Sequence, residues 1–146
     1  RGNYIMNIME VKFSAKSENE SLARVIVASF AAKLDPTIDE LSDIKTAVSE
    51  AVTNAIIHGY EEDETKFVHM RCELIENTIK IVIEDYGKGI ADIEEARQPM
   101  FTSKPELERS GMGFSFMESF MDDMQVASIV GEGTKVIMTK TIEIPK

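Results

Sequence analysis

Ser49-Glu-Ala-Val-Thr-Asn-Ala-Ile-Ile-His-Gly-Tyr60 decides the fold, because apolar residues recur through it at helical spacing around one polar pair. Glu50 and Asn54 are four residues apart, so on a helix they lie one above the other. The amide oxygen of Asn54 suits Mg²⁺, and a carboxylate one turn away is able to accept a proton from a nucleophile. A solvated polar helix face is the alternative interpretation, although the apolar residues Ala47 and Ile57 border the pair.

Two glycine motifs follow this helix. Asp85-Tyr-Gly-Lys-Gly89 comes after a strand with apolar residues at alternate positions, and Gly111-Met112-Gly113 opens a later helix. A buried carboxylate is able to accept a hydrogen bond from an adenine amino group, while Gly87 and Gly89 let the backbone approach the base. Amides at a helix start bind phosphates. Each motif alone also fits an ordinary turn, but together with Glu50 and Asn54 they predict one nucleotide pocket.

The other common nucleotide-binding signatures are missing from the chain. No segment matches the Walker loop, and no GxGxxG follows the first strand. Residues 104–110, just before the second glycine motif, are polar and have no apolar period. We expect them to form a lid over the bound nucleotide, with Lys104 among its binding residues and Arg109 near the terminal phosphate.

Helices and mostly adjacent strands, without strict alternation, predict an α/β (α+β) two-layer sandwich, in which a mixed, mainly antiparallel sheet is covered by helices on one face. Ser17 with Glu20, and Thr37 with Glu40, form capping-box patterns that predict two helix starts. The predicted strands are 8–13, 68–74, 79–83, 126–130 and 135–142, and the predicted helices are 17–34, 37–58 with Gly59 as the stop, 92–99 and 112–121.

Composition narrows the class of protein. With 146 residues and 43% hydrophobic residues, the chain suits a single domain over 1–146, with residues 1–5 a possible cloning remnant ahead of Met6. A net charge of −10 argues against direct nucleic-acid binding. The one cysteine, Cys72, lies in a strand and is interpreted as a core residue, as are most of the methionines. With no membrane-spanning run or signal peptide visible, we expect a cytoplasmic protein.

The three motifs resemble the boxes of the Bergerat ATP-binding superfamily, which includes gyrase-type topoisomerases, heat-shock chaperones, histidine kinases and mismatch-repair ATPases. Further stretches resemble the sporulation anti-sigma-F factor family from about Met9 onward. They are residues 14–20, 49–60, 93–99 and 104–114. Ser103 departs from the threonine that this family's pattern leads us to expect.

The resemblance implies a homodimeric, Mg²⁺- and ATP-dependent serine kinase that binds a sigma-F-type sigma factor and phosphorylates an anti-anti-sigma protein. It implies that Glu50 is the general base, Asn54 the Mg²⁺ ligand and Thr134 a residue near the base of ATP. Asp85, Gly87 and Gly89 would form the adenine box, with Lys104, Arg109, Gly111, Met112 and Gly113 at the phosphates. Glu20 and Arg24 would contact protein partners.

Three alternatives compete with this interpretation. A histidine kinase needs a separate phosphoacceptor domain, and a chaperone or topoisomerase ATPase needs transducer domains. An ATP-binding module that sequesters a partner with little or no kinase activity is the closest alternative, and Glu50 argues against it.

On the first helix, Val25, Ile26 and Ala28 are expected to face the core and leave Arg24 free to face out. The strand over 8–13 is the expected dimer edge.

Overall fold

The computed structural model describes residues 5–93 and 114–143, and all structural statements concern these residues. Its elements follow one another in this order: β1 (Ile5–Ser14), α1 (Asn19–Ala31), a 3₁₀ turn (Ala32–Leu34), α2 (Ile38–Asn54), a π-helical turn (Ala55–Gly59), β2 (Phe67–Ile75), β3 (Thr78–Asp85), α3 (Phe114–Phe120), β4 (Asp123–Ile129) and β5 (Gly133–Thr141). The predictions for 94–113 fall outside the described residues.

The five strands form one sheet in the order β1-β2-β3-β5-β4, and every neighbouring pair is antiparallel. The predicted two-layer sandwich is confirmed, but the described strands contain no parallel pair, so "mixed" was wrong for them. Alternate residues of β3 explain the layers, because Ile79, Ile81 and Ile83 are buried against the helices. Thr78, Lys80, Val82 and Glu84 point to the other, open face.

The two predicted capping boxes have different outcomes. Thr37 caps α2 as predicted: its hydroxyl accepts from the Glu40 amide at 3.0 Å, and the Glu40 carboxylate accepts from the Thr37 amide at 2.9 Å. Ser17 does not cap α1, which begins at Asn19 with Glu18 at the cap position and no side-chain cap bond. The Glu20 carboxylate pairs instead with the Arg24 guanidinium at 2.5 Å, one turn along the helix.

The buried face of α1 also differs from the prediction. Its core residues are Ala23, Val27, Phe30 and Ala31, whereas Val25 is 65% exposed. The predicted stripe through Val25, Ile26 and Ala28 is therefore displaced from the true one, because Ala23 and Val27, one helical turn apart, set the buried face and Ala23 carries little apolar weight in the sequence pattern.

Gly59 ends the helical segment as predicted, although for a different reason. It has none of the left-handed backbone of the usual glycine stop, since only Gly89, Gly131 and Gly133 have positive φ among the described glycines. A Cβ on Gly59 would instead lie 2.6 Å from Cγ of Asp85. Glycine is required here because the π-helical turn packs directly on the end of β3.

The core contains the predicted cysteine and methionines. Cys72 is fully buried, and desolvation raises the pKa of its thiol to about 12, so the thiol stays protonated and inert. Met117, Met121 and Met124 are buried as well, while Met100 and Met112 lie outside the described residues. Within the described part of the chain, no helix is long and apolar enough to cross a membrane.

Candidate nucleotide site

A small pocket lies between the end of α2 and the ends of β3 and β5. It encloses about 20 Å³ of free space. The helical side contributes Ala51, Asn54, Ala55, His58 and Gly59, the sheet side contributes Ile83, Asp85, Thr134 and Val136, and Gly89, Ile90 and Phe114 complete the wall. Predicted residues from both halves of the chain thus meet in one place.

Asp85 is the one acidic residue among the described residues of this lining, and it is 5% exposed. Its Oδ1 accepts from the Gly87 amide at 2.9 Å. Burial raises the pKa of the Asp85 carboxyl to about 6, although hydrogen bonds from the Gly87 and Thr134 amides lower it. Near neutral pH the carboxylate is therefore mostly ionised and offers a hydrogen-bond acceptor in a desolvated wall.

The glycines of the motif allow the turn after Asp85 to approach its neighbours closely. A Cβ on Gly87 would lie 1.9 Å from the carbonyl oxygen of Gly59. Gly89 has φ +78°, and its Cβ would lie 2.4 Å from the carbonyl oxygen of Ile129. No other residue fits either position without moving backbone, so both glycines are needed for close packing of the turn itself. The predicted approach of this backbone to a base stays a prediction.

Tyr60 anchors the same turn and was missed from the sequence. Its buried hydroxyl donates to the Phe67 carbonyl at 2.7 Å and accepts from the Tyr86 amide at 2.8 Å. The Lys88 amide adds a bond of 3.0 Å to the carbonyl of Gly59. These bonds tie the π-helical turn to both sides of the motif, which rigidifies the backbone around Asp85.

Thr134 stands opposite Asp85 in the β3–β5 register and is buried, and its location near the base of ATP stays a prediction. Its hydroxyl lies 2.8 Å from the hydroxyl of Ser128 on β4. Ser128 also accepts from the Ile90 amide at 2.7 Å and donates to the Gly133 carbonyl at 2.9 Å. Ser128 was not singled out in the sequence, because nothing local marks it.

Asn54 and Glu50 occupy successive turns of α2. Asn54 is 6% exposed and lines the pocket, whereas Glu50 is partly exposed and lies about 6 Å farther along the helix axis. The burial of Asn54 argues against the alternative interpretation, a solvated polar helix face, and is compatible with a metal-ligand role for its amide oxygen. Among residues 5–93 and 114–143, no three His, Cys, Asp or Glu side chains are grouped to hold a metal ion. Mg²⁺ held at Asn54 would therefore need phosphate oxygens or water as further ligands.

Several predicted site residues fall outside the described part of the chain. They are Lys104, Arg109, Gly111, Met112 and Gly113. Their roles at the phosphates stay predictions. Of the described residues on either side of this segment, Ile90 and Phe114 line the pocket.

Glu20 and Arg24 lie on α1, away from the pocket lining. The Arg24 side chain is 40% exposed, in line with the expectation that it faces outward, and it is paired with Glu20 on the same helix. Its contact with a protein partner stays a prediction. A cleft of about 230 Å³ between α1 and α2 runs past it and is also lined by Ser42, Lys45, Thr46 and Ser49. A wider concavity of about 560 Å³ lies on the open face of the sheet, where it shares no residue with the candidate site.

Comparison with known proteins gives consistent matches. Residues 13–140 match a family model described as "Histidine kinase-like ATPase domain". The chain is 63% identical over 134 residues to an anti-sigma F factor of Clostridium perfringens, covering 92% of this chain and 96% of that protein. An anti-sigma F factor of Anoxybacillus flavithermus is 60% identical and covers 92% of each.

Solved structures support the same fold. The RsbU and RsbW domains of Rv1364c from Mycobacterium tuberculosis superpose with a TM-score of 0.69 at 16% identity, covering 96% of this chain and 34% of that one. The catalytic domain of the histidine kinase ThkA superposes with a TM-score of 0.58 at 17% identity, covering 94% and 97%.

Proposed function

Because the chain belongs to the anti-sigma F factor family, within the histidine kinase-like ATPase domains, we propose that it is a cytoplasmic protein serine kinase that uses Mg²⁺ and ATP. In the same proposal, it phosphorylates an anti-anti-sigma protein and binds a sigma-F-type sigma factor. One observation carries the catalytic half: Asp85 and Thr134 form a buried polar wall, and Asn54 and Glu50 follow on successive turns of α2.

The order of these residues matches the order of parts in a nucleotide that is aligned for transfer. The base would lie against Asp85 and Thr134, the metal at Asn54, and the attacking hydroxyl near Glu50. Mg²⁺-bound ATP supplies the phosphoryl group and a leaving group whose charge is partly neutralised. In the proposal, Glu50 orients the incoming serine and takes its proton, while the glycine motif and lid residues of 104–113 hold the phosphates.

The test of the catalytic half is incubation with labelled ATP, Mg²⁺ and an anti-anti-sigma protein, followed by detection of phosphoserine. Glu50→Gln should keep ATP binding and lose transfer by roughly 10²–10⁴-fold, the range of a general base. Asp43→Asn on the same helix is the matched control and should transfer at the wild-type rate. Transfer by Glu50→Gln at the wild-type rate would contradict the mechanism. ATP binding without any transfer by the wild type would favour the alternative, a partner-sequestering module.

The partner half of the proposal rests on α1. Arg24 is partly exposed and lies beside the exposed apolar residues Leu22 and Val25, a combination typical of protein interfaces. Capture of the sigma factor in the presence of Mg²⁺ and ATP should be impaired by Arg24→Ala and not by Lys33→Ala, an exposed lysine at the far end of the same segment. Unimpaired capture by Arg24→Ala would remove Arg24 from the interface.

We also propose a homodimer that forms along β1. This strand is at an edge of the sheet, where Met6 and Ile8 are exposed. An unpaired edge with apolar side chains is suited to association with a second copy. Sedimentation of Ile8→Lys would test the placement: a shift to monomer is expected, and an unchanged dimer would put the interface elsewhere.

A further inference from the structure

Three residues form a polar row across the end of the sheet. Ser128 on β4 pairs in register with Thr134 on β5, and Thr134 pairs in register with Asp85 on β3. Asp85 and Thr134 line the candidate pocket, whereas Ser128 lies one strand farther away and does not line it. Ser128 contacts two lining residues, Thr134 through its hydroxyl and Ile90 through its amide, and of the other two side chains in the row it bonds that of Thr134.

The hydrogen bonds of Ser128 fix the direction of the bond between the two hydroxyls. A serine hydroxyl has one hydrogen to donate and two lone pairs that accept. The Gly133 carbonyl, 2.9 Å away, can only accept, and the Ile90 amide, 2.7 Å away, can only donate. The single Ser128 hydrogen therefore goes to Gly133, because otherwise two oxygens would face each other at 2.9 Å without a hydrogen between them.

It follows that Thr134 must be the donor in the 2.8 Å contact with Ser128. Its only hydroxyl hydrogen is used there, so towards the pocket Thr134 offers only acceptor lone pairs. The Asp85 carboxylate next to it is likewise an acceptor above its titration, which burial places at a pKa of about 6. The wall then has two acceptors side by side and no side-chain donor between them.

We infer that Ser128 is a specificity-determining positioning residue, whose hydroxyl holds Thr134 as an acceptor so that the wall takes a 6-amino purine and rejects a 6-oxo purine. The inference rests on the proposed function, since it concerns the base of the ATP bound there. A 6-amino group has two N–H donors for such a wall, whereas a 6-oxo group would add a third acceptor and leave it unpaired.

ATP and inosine triphosphate are the chosen probes, because the first has an amino group at position 6 and the second an oxo group, with no added 2-amino group. They also differ at N1, which carries a hydrogen only in inosine, so the measurement compares the change in preference between variants and not the preference alone. Their dissociation constants are measured by calorimetry at pH 8 with Mg²⁺. In Ser128→Ala the Thr134 hydroxyl can rotate and donate to the oxo group. The preference for ATP should fall by roughly tenfold, the scale of one buried hydrogen bond.

The variants include controls for a merely structural role. Ser128→Thr keeps the hydroxyl on a residue that suits a strand and should keep the wild-type preference. Thr141→Val removes an exposed hydroxyl from the other end of β5 and should change nothing. Thr134→Val should lower the preference by itself, and adding Ser128→Ala to it should cause no further loss, because the effect passes through Thr134.

Three results would overturn the inference. They are an unchanged preference in Ser128→Ala, an unchanged preference in Thr134→Val, and a loss in Ser128→Ala that persists undiminished in the Thr134→Val background. If Ser128→Ala does not fold, Thr134→Val and Ser128→Thr still decide between these outcomes. A wild-type chain that binds neither nucleotide would overturn the proposed function itself, whereas one that binds ATP without the Ser128 effect would overturn only this inference.

Discussion

Asp85, on the face of the sheet covered by helices, and Glu73, on the open face, are both buried carboxylates with very different surroundings. Glu73 accepts from the Arg71 guanidinium at 2.6 Å, and the same guanidinium reaches Glu10 at 2.7 Å. Asp85 has no cation paired with it among the described residues. Burial therefore raises the pKa of its carboxyl, although the hydrogen bonds from backbone amides lower it. On the open face, the buried carboxylate is thus paired with a cation. On the covered face, the Asp85 carboxylate has no such partner among the described residues and is available as a hydrogen-bond acceptor.

This difference indicates where function is located. A buried carboxylate without a counter-charge costs stability, and such a cost is typical of binding sites. On the open face, Arg71, Glu73 and Glu10 are paired with one another. The two carboxylates raise the pKa of the Arg71 guanidinium and keep it charged. Concavity alone is therefore a poor guide, because the wider hollow lies on the face where the buried carboxylate of Glu73 is already paired with Arg71.

Removing the charge of Asp85 should have the largest effect. Asp85→Asn should weaken ATP binding by about 2–4 kcal/mol, because the amide can present a donor where an acceptor is needed. The ATP-free variant should nevertheless melt at a higher temperature than wild type, since a desolvated charge is gone. Glu84→Gln, the neighbour that points to the open face, is the control for calorimetry and thermal melting. Unchanged ATP affinity in Asp85→Asn would place the base elsewhere.

The ionisation of Asp85 should also be visible in the pH dependence of the free energy of unfolding. The folded pKa of Asp85 is raised to about 6 from 3.8, so the folded state binds the proton more tightly than the unfolded state does. Its contribution to stability is therefore greatest below about pH 4 and falls as pH rises to about 6, by on the order of 2–3 kcal/mol. ATP binding should change in the opposite direction and strengthen over the same rise.

The measurement is urea unfolding of ATP-free wild type and Asp85→Asn at several pH values between 4 and 8. The difference between the two curves isolates Asp85 from the other acids, including its neighbour Glu84. A difference that does not change with pH would show that the Asp85 pKa is ordinary in the folded protein.

Breaking the Tyr60 anchor should have a smaller effect. Tyr60→Phe keeps the ring and removes the hydroxyl that links Phe67 to the Tyr86 amide. Two backbone groups lose a partner, so the free energy of unfolding should fall by about 1–3 kcal/mol and ATP affinity should fall with it. Tyr86→Phe is the matched control, because the Tyr86 ring is exposed and contacts His69 on the open face. Equal changes in the free energy of unfolding and in ATP affinity in the two variants would show that the Tyr60 hydroxyl does not anchor this turn.

Breaking the open face should have the smallest effect on the pocket. Arg71→Gln removes the cation between Glu10 and Glu73 and leaves the buried Glu73 carboxylate without it, so the melting temperature should fall while ATP affinity stays unchanged. A loss of ATP affinity as large as that of Tyr60→Phe would show that the two faces are coupled, which would contradict the comparison above.

Local patterns in the sequence predicted much of this arrangement. Alternation in β2 and β3, the Thr37 cap and the positions of Glu50, Asn54 and Asp85 all depend on spacings of a few residues. Ser17 and Val25 were misjudged, because the competing Glu20–Arg24 pair and the small core alanines of α1 carry little weight in such patterns.

Tyr60 and Ser128 could not be found in this way. Their hydrogen bonds reach Tyr86 and Ile90 across 26 and 38 residues, and only the folded sheet brings these groups together. The general lesson is that the residues that touch a ligand have motifs, whereas the residues that position them are set by strand register.

The most direct test of the central claim is a carbon-13 NMR titration of the Asp85 carboxyl with and without Mg²⁺ and ATP, assigned by its absence in Asp85→Asn. The predicted result is a carboxyl that titrates near pH 6 in the ATP-free protein, with a pKa that moves well down when ATP is bound, because the adenine amino group favours the ionised form. A carboxyl that titrates near its ordinary value of 3.8 and is unmoved by saturating ATP would contradict it.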